Sequence, residues 1–234
     1  MLLSTLLGLD PPVLPVSQLV ETASLFGVAE GTARTALSRM AGAGEVVADD
    51  GRYRLAGRLL DRQRRQDEGR RPRTSARWNG RWRMAVVTTD RRSAADRAEL
   101  RAALTRMRLA EWREGVWLRP DDIELDPTGV AAQHCAWLTV DLDDDPPALW
   151  DLDAWADDAR DLLDELDDSP PSIDDLATGF LLSAAVLRHL AADPLLPAAL
   201  LPDDWPGDAL RTTYDRWDRA YRALLATWHR SRRG

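Results

Sequence analysis

The sequence predicts an α+β protein that consists of an N-terminal winged helix-turn-helix domain, a central ferredoxin-like domain and a C-terminal helical domain. Residues 1–56 carry amphipathic helices joined by a glycine-containing turn and followed by a hairpin pattern. Residues 78–142 follow a strand, helix, strand, strand order, which is typical of a small α+β sandwich. Residues 143–234 contain three predicted helices, and a basic linker helix at 57–77 connects the first two domains.

Length and composition exclude several classes of protein. The 234 residues are enough for one large or two small domains, and a hydrophobic fraction of 44% is that of a globular protein. The single cysteine, Cys135, cannot form an intramolecular disulfide, so we expect a cytoplasmic protein. The start MLLSTLLGLDPP lacks the basic residues of a signal peptide, and we expect no segment with the roughly 18 apolar residues of a membrane span. The sequence therefore predicts a soluble protein without membrane contact.

Charge is distributed unevenly along the chain. The 31 basic residues are all arginines, and the formal net charge is −8. Residues 52–83 contain 12 arginines and 3 acidic residues, whereas residues 121–208 contain 23 acidic residues and only two arginines, Arg160 and Arg188. This asymmetry predicts one part of the protein that meets a polyanion and another part that does not.

The first sixty residues predict three short helices. The leucines near the start share one helical face, and a second amphipathic helix lies between Pro15 and Gly27. The third helix, residues 30–40, has an apolar stripe, and we interpret it as a recognition helix that enters the DNA major groove. Arginine can donate to guanine or to phosphate, and short hydroxyl side chains allow the helix backbone to approach closely. The opposite face carries the residues predicted to contact DNA: Thr32, Arg34, Thr35, Ser38 and Arg39.

A hairpin is predicted directly after this helix, at residues 45–55. Two strand-like runs flank the sequence Asp49-Asp50-Gly51, which is typical of a tight turn. We interpret the hairpin as a wing whose Arg52 and Arg54 contact phosphate or the minor groove. Three-helix units also serve as interaction modules, so a domain that binds no DNA is an alternative function.

A strongly basic connector with few apolar residues follows at residues 57–77. We expect it to form a linker helix that frays. In one interpretation it is an arm along the phosphate backbone, with Arg58 and further arginines neutralising phosphates. In the other it is a solvated segment whose charge only maintains solubility. We favour the first interpretation.

The central region predicts strands at 82–89, 115–118 and 136–140 and a helix that starts at a capping box formed by Ser93 and Asp96. This order is compatible with a ferredoxin-like sandwich. The second helix of that topology has little room between Pro127 and His134, so we expect it to be short.

Asp90 suggests an alternative, enzymatic function. It directly follows the first central strand, where small ferredoxin-like nucleases carry a metal-binding aspartate. A metal-dependent nuclease that uses Asp90 is therefore an alternative to a DNA-binding regulator. Such a site needs several converging carboxylates, and the adjacent Arg91 and Arg92 oppose a divalent cation. The three histidines are far apart, and neither a phosphate loop nor a nucleophile motif is present. We therefore expect a protein that is not an enzyme and has no catalytic site, metal or cofactor.

The acidic C-terminal third predicts a helix at 148–166 and a second one that is capped by Ser172 and Asp175 and ends at Asp193. A last helix follows a proline-rich connection and carries an aromatic stripe, which is typical of a core or a dimer interface. We predict that this stripe contributes to a dimer interface through Tyr214, Trp217, Tyr221 and Trp228.

Five segments in a fixed order allow a comparison with a known family. They are RTALSRMAGAGEV at 34–46, RWNGRW at 77–82, GVWLRP at 115–120, LWDLDAW at 149–155 and DPLLPAALLPDDWPG at 193–207. The chain resembles the PaaX-like transcriptional regulators, the family of the phenylacetic-acid degradation repressor. The last segment is the most diagnostic, because two Leu-Pro pairs followed by Asp-Trp-Pro-Gly form a pattern that chance rarely produces.

The resemblance implies a homodimeric repressor that binds an inverted-repeat operator in double-stranded DNA and is released by an aryl-CoA thioester. It also implies that residues 30–40 are the recognition helix and residues 45–55 the wing. The effector pocket stays unassigned, because residues 121–208 offer few cations for the phosphates of CoA. Arg101, Arg108 and Arg119 of the central domain are candidate contributors, and each is equally well explained as an exposed charge.

Overall fold

A computed structural model describes residues 2–9, 11–72, 78–89, 93–142 and 148–232. Its internal contacts divide the chain into two units, each assembled from separate segments. The first unit contains residues 1–71, 156–192 and 206–234, and the second contains residues 72–155 and 193–205. Both units combine helices with an antiparallel sheet, which confirms the mixed α+β class. The division into four segments stays a prediction.

The N-terminal part of the first unit consists of α1 (Leu2–Leu7), β1 (Val13–Pro15), α2 (Val16–Ser24), α3 (Glu30–Gly42), β2 (Val46–Asp49), β3 (Arg52–Leu55) and α4 (Arg58–Arg70). The strands pair antiparallel in the order β1-β3-β2. The β2–β3 hairpin turns at Asp50 and Gly51, whose φ angles of 43° and 69° are both positive, as a type I′ turn requires. The strand-like runs therefore meet at the turn that the sequence indicates.

An apolar core holds α2 and α3 against this small sheet. Leu19 of α2 and Leu37 of α3 are completely buried, and Val46 and Leu55 contribute from the two strands of the hairpin. Helix α3 also buries Ala33, which lies one turn before Leu37 and therefore on the same face. The helix continues to Gly42, two residues beyond the predicted end at Met40. Its buried stripe leaves the opposite face of the helix to solvent.

The second unit contains a four-stranded antiparallel sheet in the order β5-β6-β4-β7. In chain order its elements are β4 (Trp82–Val87), α5 (Ala94–Arg106), β5 (Ala110–Arg113), β6 (Val116–Pro120), α6 (Gly129–His134) and β7 (Cys135–Val140). This is the β-α-β-β-α-β element order of ferredoxin-like domains.

Local signals in the sequence account for most of these central elements. Helix α5 begins with the predicted capping box, in which Ser93 and Asp96 each accept a hydrogen bond from the backbone N–H of the other. Helix α6 has six residues and is as short as expected. Strand β5 is not predicted from the sequence; it pairs with β6 across a turn at Gly115, whose φ is 75°.

The C-terminal helices are α7 (Leu152–Asp168), α8 (Leu176–Ala192) and α9 (Gly207–Ser231), with 3-10 turns at Ile173–Asp175 and Ala198–Leu200. The segment Ile173–Ala192 is long and apolar enough to cross a membrane by length and composition. A helix in the core of a globular protein meets the same criterion, so this one segment among the described residues is weak evidence for a membrane span. Its inward side belongs to the core of the first unit and contains Leu176, Phe180, Leu182, Val186, Leu187 and Leu190.

Helix α4 covers Arg58–Arg70 of the predicted connector and is packed against α8, whereas residues 73–77 of that connector lie outside the described residues. A Cβ built on Gly69 would lie 2.1 Å from the carbonyl oxygen of Leu190, so only glycine permits this approach of the two backbones. Two of the buried residues are polar, Gln63 and Gln66, which is why the sequence lacks a visible apolar stripe here. The side-chain amide of Gln63 donates to the carbonyl of Leu9 at 2.7 Å, which ties α4 to the end of α1.

A buried ion-pair cluster, formed by Arg70, Asp215, Asp218 and Arg222, joins α4 to α9. Arg70 donates to Asp215 at 2.6 Å and to Asp218 at 2.8 Å, and Arg222 donates to Asp218 at 2.8 Å. Burial alone would lower the pKa of Arg70, but the carboxylates of Asp218 and Asp215 outweigh it and raise that pKa. The guanidinium of Arg70 also lies over the ring of Tyr214, at 4.9 Å from its centroid. The cluster fixes α9 against the N-terminal part of the first unit.

The close packing of α4 on α8 is tested by Gly69→Ala. The added methyl group would collide with the backbone of Leu190, so we expect the free energy of unfolding to fall by about 1–3 kcal/mol, as in overpacked cores. Urea denaturation of the full chain measures this change. The control is Gly42→Ala, where no atom lies within 4 Å of the added Cβ. Equal stability of the two variants would contradict the packing.

The buried cluster is tested by Asp218→Asn. The change leaves Arg70 with Asp215 alone and deprives Arg222 of its acid, so we expect a loss of about 3–5 kcal/mol in the free energy of unfolding. Asp208→Asn is the matched control, because Asp208 also pairs with an arginine, Arg211, but its side chain is 97% exposed. Thermal and urea denaturation should show little change for the control. A similarly small change for Asp218→Asn would show that the cluster does not hold the helices together.

Candidate nucleic-acid interface

The exposed face of α3 brings together the five residues predicted to contact DNA. These residues, Thr32, Arg34, Thr35, Ser38 and Arg39, are all exposed. They lie opposite the buried pair Ala33 and Leu37, which anchors the helix in the core. A surface depression of about 500 Å³ lies along this face and is lined by Ala29, Gly31, Thr32, Thr35, Ala36 and Arg39.

Local contacts orient two of these side chains. The Nε of Arg34 donates to Glu30 Oε1 at 2.8 Å, and the hydroxyl of Thr35 donates to the carbonyl of Gly31 at 2.8 Å. Glu30 was not predicted as part of the site, although its spacing of four residues from Arg34 is the usual signal for a helical ion pair. Arg39 forms no ion pair with any residue in the described part of the chain, so its guanidinium remains available to a ligand.

The hairpin presents its two predicted arginines on one side of the sheet. Arg52 and Arg54 are exposed, whereas the alternating residues Tyr53 and Leu55 are half-buried and buried. This follows from the period of two along a strand: Leu55 points into the core, so its neighbours point outward. Strand β3 is the central strand of the sheet, which fixes the position of both guanidinium groups along the hairpin.

Arg58 lies at the base of the hairpin. Its guanidinium donates to Glu45 Oε1 at 2.7 Å, while 82% of its side chain stays exposed. Glu45 is a second acidic residue that sequence reasoning did not assign, since the contact spans thirteen residues and has no local signal. The ion pair connects the first turn of α4 to the start of the hairpin.

The arginines of α4 divide into an outward and an inward group. Arg62 and Arg64 are exposed, and Arg64 pairs with Asp61 at 3.3 Å. Arg70, by contrast, forms ion pairs within the buried cluster, and its side chain is only 12% exposed. The connector therefore offers fewer cations to a polyanion than its sequence indicates.

Most of the aromatic stripe predicted for a dimer interface lies inside the chain. Tyr214, Trp217 and Tyr221 are buried. The indole of Trp217 donates to the carbonyl of Ser169 at 2.8 Å and stacks on Tyr221 with ring centroids 5.2 Å apart. Three of the four residues thus form core contacts of the first unit, because α9 packs its aromatic face on its own α8. Trp228 is half-buried and remains accessible to a second copy of the chain.

The three arginines considered for an effector site are engaged within the second unit. Arg119 is completely buried and donates to Asp122 at 2.8 Å. Burial lowers the pKa of Arg119, and Asp122 opposes that shift. Arg108 is also buried and donates to the carbonyl of Asp193. Only Arg101, which pairs with Glu111 at 2.7 Å, has the exposed side chain that the sequence suggests.

The alternative of a metal-dependent nuclease receives no support from the described residues. Asp90 lies outside them. Within the described ranges, no group of three or more His, Cys, Asp or Glu residues could hold a metal ion. Two of the histidines have side-chain partners that are distant in the sequence: His134 Nδ1 lies 3.0 Å from Thr89 Oγ1, and His229 Nδ1 lies 2.5 Å from Glu21 Oε2.

A solved structure resembles this protein over almost its full length. It is the uncharacterized protein Rv0674 from Mycobacterium tuberculosis. The two chains are 43% identical, the TM-score is 0.71, and the match covers 96% of this chain and 95% of that chain. No curated protein matches the sequence.

Three family descriptions match consecutive parts of the chain. Residues 1–59 match "PaaX-like protein", residues 75–140 match "PaaX protein central Cas2-like domain" and residues 150–231 match "PaaX-like protein C-terminal domain". Together they confirm the resemblance that the five sequence segments indicate. Members of this family are transcriptional regulators of phenylacetic acid catabolism and are not enzymes. With an N-terminal, a Cas2-like central and a C-terminal match in this order, the chain belongs to the PaaX-like family of transcriptional regulators.

Proposed function

We propose that this protein is a DNA-binding transcriptional repressor of the cytoplasm whose N-terminal part is a winged helix-turn-helix. In this proposal α3 is the recognition helix and the β2–β3 hairpin is the wing. The observation that carries it is the exposed polar face of α3, which presents two arginines and three hydroxyl side chains while Ala33 and Leu37 anchor the other face. The family supports it, because PaaX-like regulators bind DNA operators.

The residues of the interface have different roles in this proposal. Arg39 and the hydroxyl residues of α3 read base edges, since a guanidinium without an internal ion pair can donate bidentately to guanine. Arg34, whose guanidinium is held by Glu30, positions the helix on the DNA backbone more than it reads base edges. Arg52, Arg54 and Arg58 contact phosphate, where any sequence presents the same charge.

The repressor acts as a homodimer on an inverted repeat in this proposal. Two copies related by twofold symmetry place their recognition helices in successive major grooves, so operator symmetry matches protein symmetry. Trp228 is the one residue of the predicted aromatic interface that stays accessible in the single chain. Release from DNA by a small-molecule effector completes the proposal, with an aryl-CoA thioester as the effector class that the family resemblance implies.

The division of roles is tested by comparing Arg39→Ala with Arg52→Ala. Loss of a base contact should weaken binding to the operator by about 1–3 kcal/mol at one or two base positions, whereas loss of a phosphate contact should weaken binding to all sequences alike. Fluorescence anisotropy with the protein's own upstream DNA and with random duplex measures both effects.

The same experiment includes a control variant, and two of its outcomes would contradict the proposal. Arg219→Ala removes an exposed arginine of α9, far along the chain from the interface, and should leave both affinities unchanged. Equal losses on operator and random DNA for Arg39→Ala and Arg52→Ala would refute the assigned roles. A wild-type chain that binds neither duplex would identify the N-terminal part as an interaction module.

The dimer is tested by sedimentation of the full chain over a range of concentrations. We expect a mass of twice the 26.1 kDa of one chain. Trp228→Ala should raise the dissociation constant of the dimer about tenfold, because large aromatic side chains dominate interface energies. Thr212→Ala, which truncates an exposed residue of the same helix, is the control and should dimerise normally. Unchanged dimerisation of Trp228→Ala would remove α9 from the interface.

A further inference from the structure

The four-stranded sheet of the second unit has two edges that differ in how they are protected. Strand β5 lies at one edge and β7 at the other. An edge strand presents unpaired N–H and C=O groups to which another strand can pair, and proteins block such edges with short strands, charged side chains, prolines or bulges. An edge without these features is therefore a candidate contact surface.

The β5 edge is protected. The strand has four residues, and its register against β6 shifts between Glu111 and Arg113, as at a β-bulge. Both residues are charged: Glu111 pairs with Arg101 at 2.7 Å, and the guanidinium of Arg113 lies over the ring of Trp112, at 5.2 Å from its centroid. The bulge and the charges oppose regular pairing of a further strand at this edge.

The β7 edge lacks such protection. Its six residues, Cys135–Val140, include no charged residue, proline or glycine, and they pair with β4 in an unbroken register. No strand in the described part of the chain pairs with the other side of β7. Leu138 is 47% exposed, and Ala136 is exposed on the same face. The strand thus leaves both backbone groups and apolar side chains open to a partner.

A hydrogen bond at the start of β7 shows which backbone groups face the free edge. The carbonyl of His134 accepts from the N–H of Thr88 at 2.9 Å, so His134 directs its backbone groups toward β4. This direction alternates along an antiparallel strand, and the even-numbered residues of β7 therefore bond β4. The odd-numbered residues present their N–H and C=O groups to the free edge: Cys135, Trp137 and Thr139.

We propose that β7 pairs antiparallel with β7 of a second copy of this chain, with Leu138 opposite Leu138 of the second copy. The two four-stranded sheets then join into one continuous sheet. The inference rests on the homodimer of the proposed function and assigns to it a contact in the second unit, separate from the contact of Trp228. It requires neither DNA nor an effector.

Symmetry restricts the register of this pairing. A twofold axis perpendicular to the sheet keeps each face on its own side, and opposed residues point to the same face. The axis therefore passes through a residue that opposes itself. Of the two central residues, Trp137 donates its indole N–H to the carbonyl of Ala131 at 3.2 Å, whereas the side chain of Leu138 is exposed. Leu138 is therefore the self-opposed residue.

This register satisfies the free backbone groups of both copies. Trp137 of each copy exchanges two hydrogen bonds with Thr139 of the other, and Cys135 of each copy does so with Asp141 of the other. About eight main-chain hydrogen bonds result, which lies within the range of about ten, give or take five, in a typical protein interface. The backbone alone thus supplies the polar contacts of a specific interface.

The side chains favour a second copy as the occupant. On the exposed face, Leu138 opposes itself and Ala136 opposes Val140, so apolar side chains meet. The nearest charge is on Asp141, whose side chain is 82% exposed. It lies about 20 Å from Asp141 of the second copy, because six residues of a strand separate them. The strand is therefore complementary to itself, whereas a foreign strand would need a matching sequence.

The register is tested with engineered cysteines in the full chain with Cys135→Ala. Opposed residues of a non-hydrogen-bonded pair have Cα atoms about 4.5 Å apart, a distance that a disulfide spans. Leu138→Cys should therefore form a covalent dimer on mild oxidation, seen on a non-reducing gel. Ala136→Cys is the matched control, because its two copies lie about 13 Å apart along the paired strands and cannot be bridged.

The contact itself is tested with charges. Leu138→Lys places two like charges directly opposite each other, so the dissociation constant of the dimer, measured by sedimentation, should rise at least tenfold. Leu138→Glu should have the same effect, but an equimolar mixture of the two variants should dimerise again, because opposite charges then meet. Leu181→Lys is the matched control and should dimerise normally, since Leu181 is 60% exposed and lies on α8 in the first unit.

Several outcomes overturn the proposal. A monomeric unaltered chain would leave the β7 edge to another occupant. Equal cross-linking of Leu138→Cys and Ala136→Cys would refute the register, and normal dimerisation of Leu138→Lys or a mixture that stays monomeric would refute the contact.

Failure of this inference is distinguishable from failure of the proposed function. If Trp228→Ala weakens the dimer and Leu138→Lys does not, the proposed dimer remains and the β7 contact is lost. If Leu138→Cys forms the covalent dimer but the unaltered chain binds no DNA, the β7 contact remains and the repressor is lost.

Discussion

The carboxylate of Asp218 is the contact on which the first unit depends. It is 3% exposed and lies between two guanidinium groups, one from α4 and one from its own helix α9. A buried carboxylate is tolerated only when its cationic partners are in place. Both Arg70 and Arg222 are therefore needed to hold α4 against α9. Nearby, Arg211 donates to the carbonyl of Gly69 at 2.8 Å, and Tyr214 shares a hydrogen bond of 2.8 Å with Ser183. The hairpin and α3 are thereby held to the C-terminal helices through α4.

The guanidinium group serves both the interior and the surface of this protein. In a chain without lysine, Arg70, Arg119 and Arg211 are buried or nearly so, because a planar fork can satisfy carboxylates and carbonyls at once. Arg39, Arg52 and Arg54 are exposed and remain for DNA in the proposed function. The net charge of a segment therefore overstates the number of arginines that can contact a polyanion, because some of those arginines pair with carboxylates and carbonyls inside the protein.

Helix α9 carries two stripes with separate tasks. Its aromatic stripe packs on α8, and the hydroxyl of Tyr221 donates to the carbonyl of Leu176 at 2.9 Å. Burial raises the pKa of Tyr221 to about 12, so this hydroxyl stays a donor at neutral pH. The second stripe, with Arg222 and His229, contacts the N-terminal part through the Gly8 carbonyl and Glu21. One helix thus packs on α8 with one side and on the N-terminal part with the other.

The sequence by itself determined the α+β class, the family, the order of the helices and of most strands, and the exposed face of α3, because these depend on local periodicity, caps, turns and short motifs, whereas β1 and β5 have no such signal. Only the tertiary structure decided that Gly69 lets α4 touch α8, that Arg70 turns inward and that Tyr214 and Trp217 are core residues. It also brought Arg222 to the Gly8 carbonyl and His229 to Glu21, contacts that span more than two hundred positions of the chain. Contacts of this kind join distant segments by shape and charge, and no local pattern records which partner a side chain will meet.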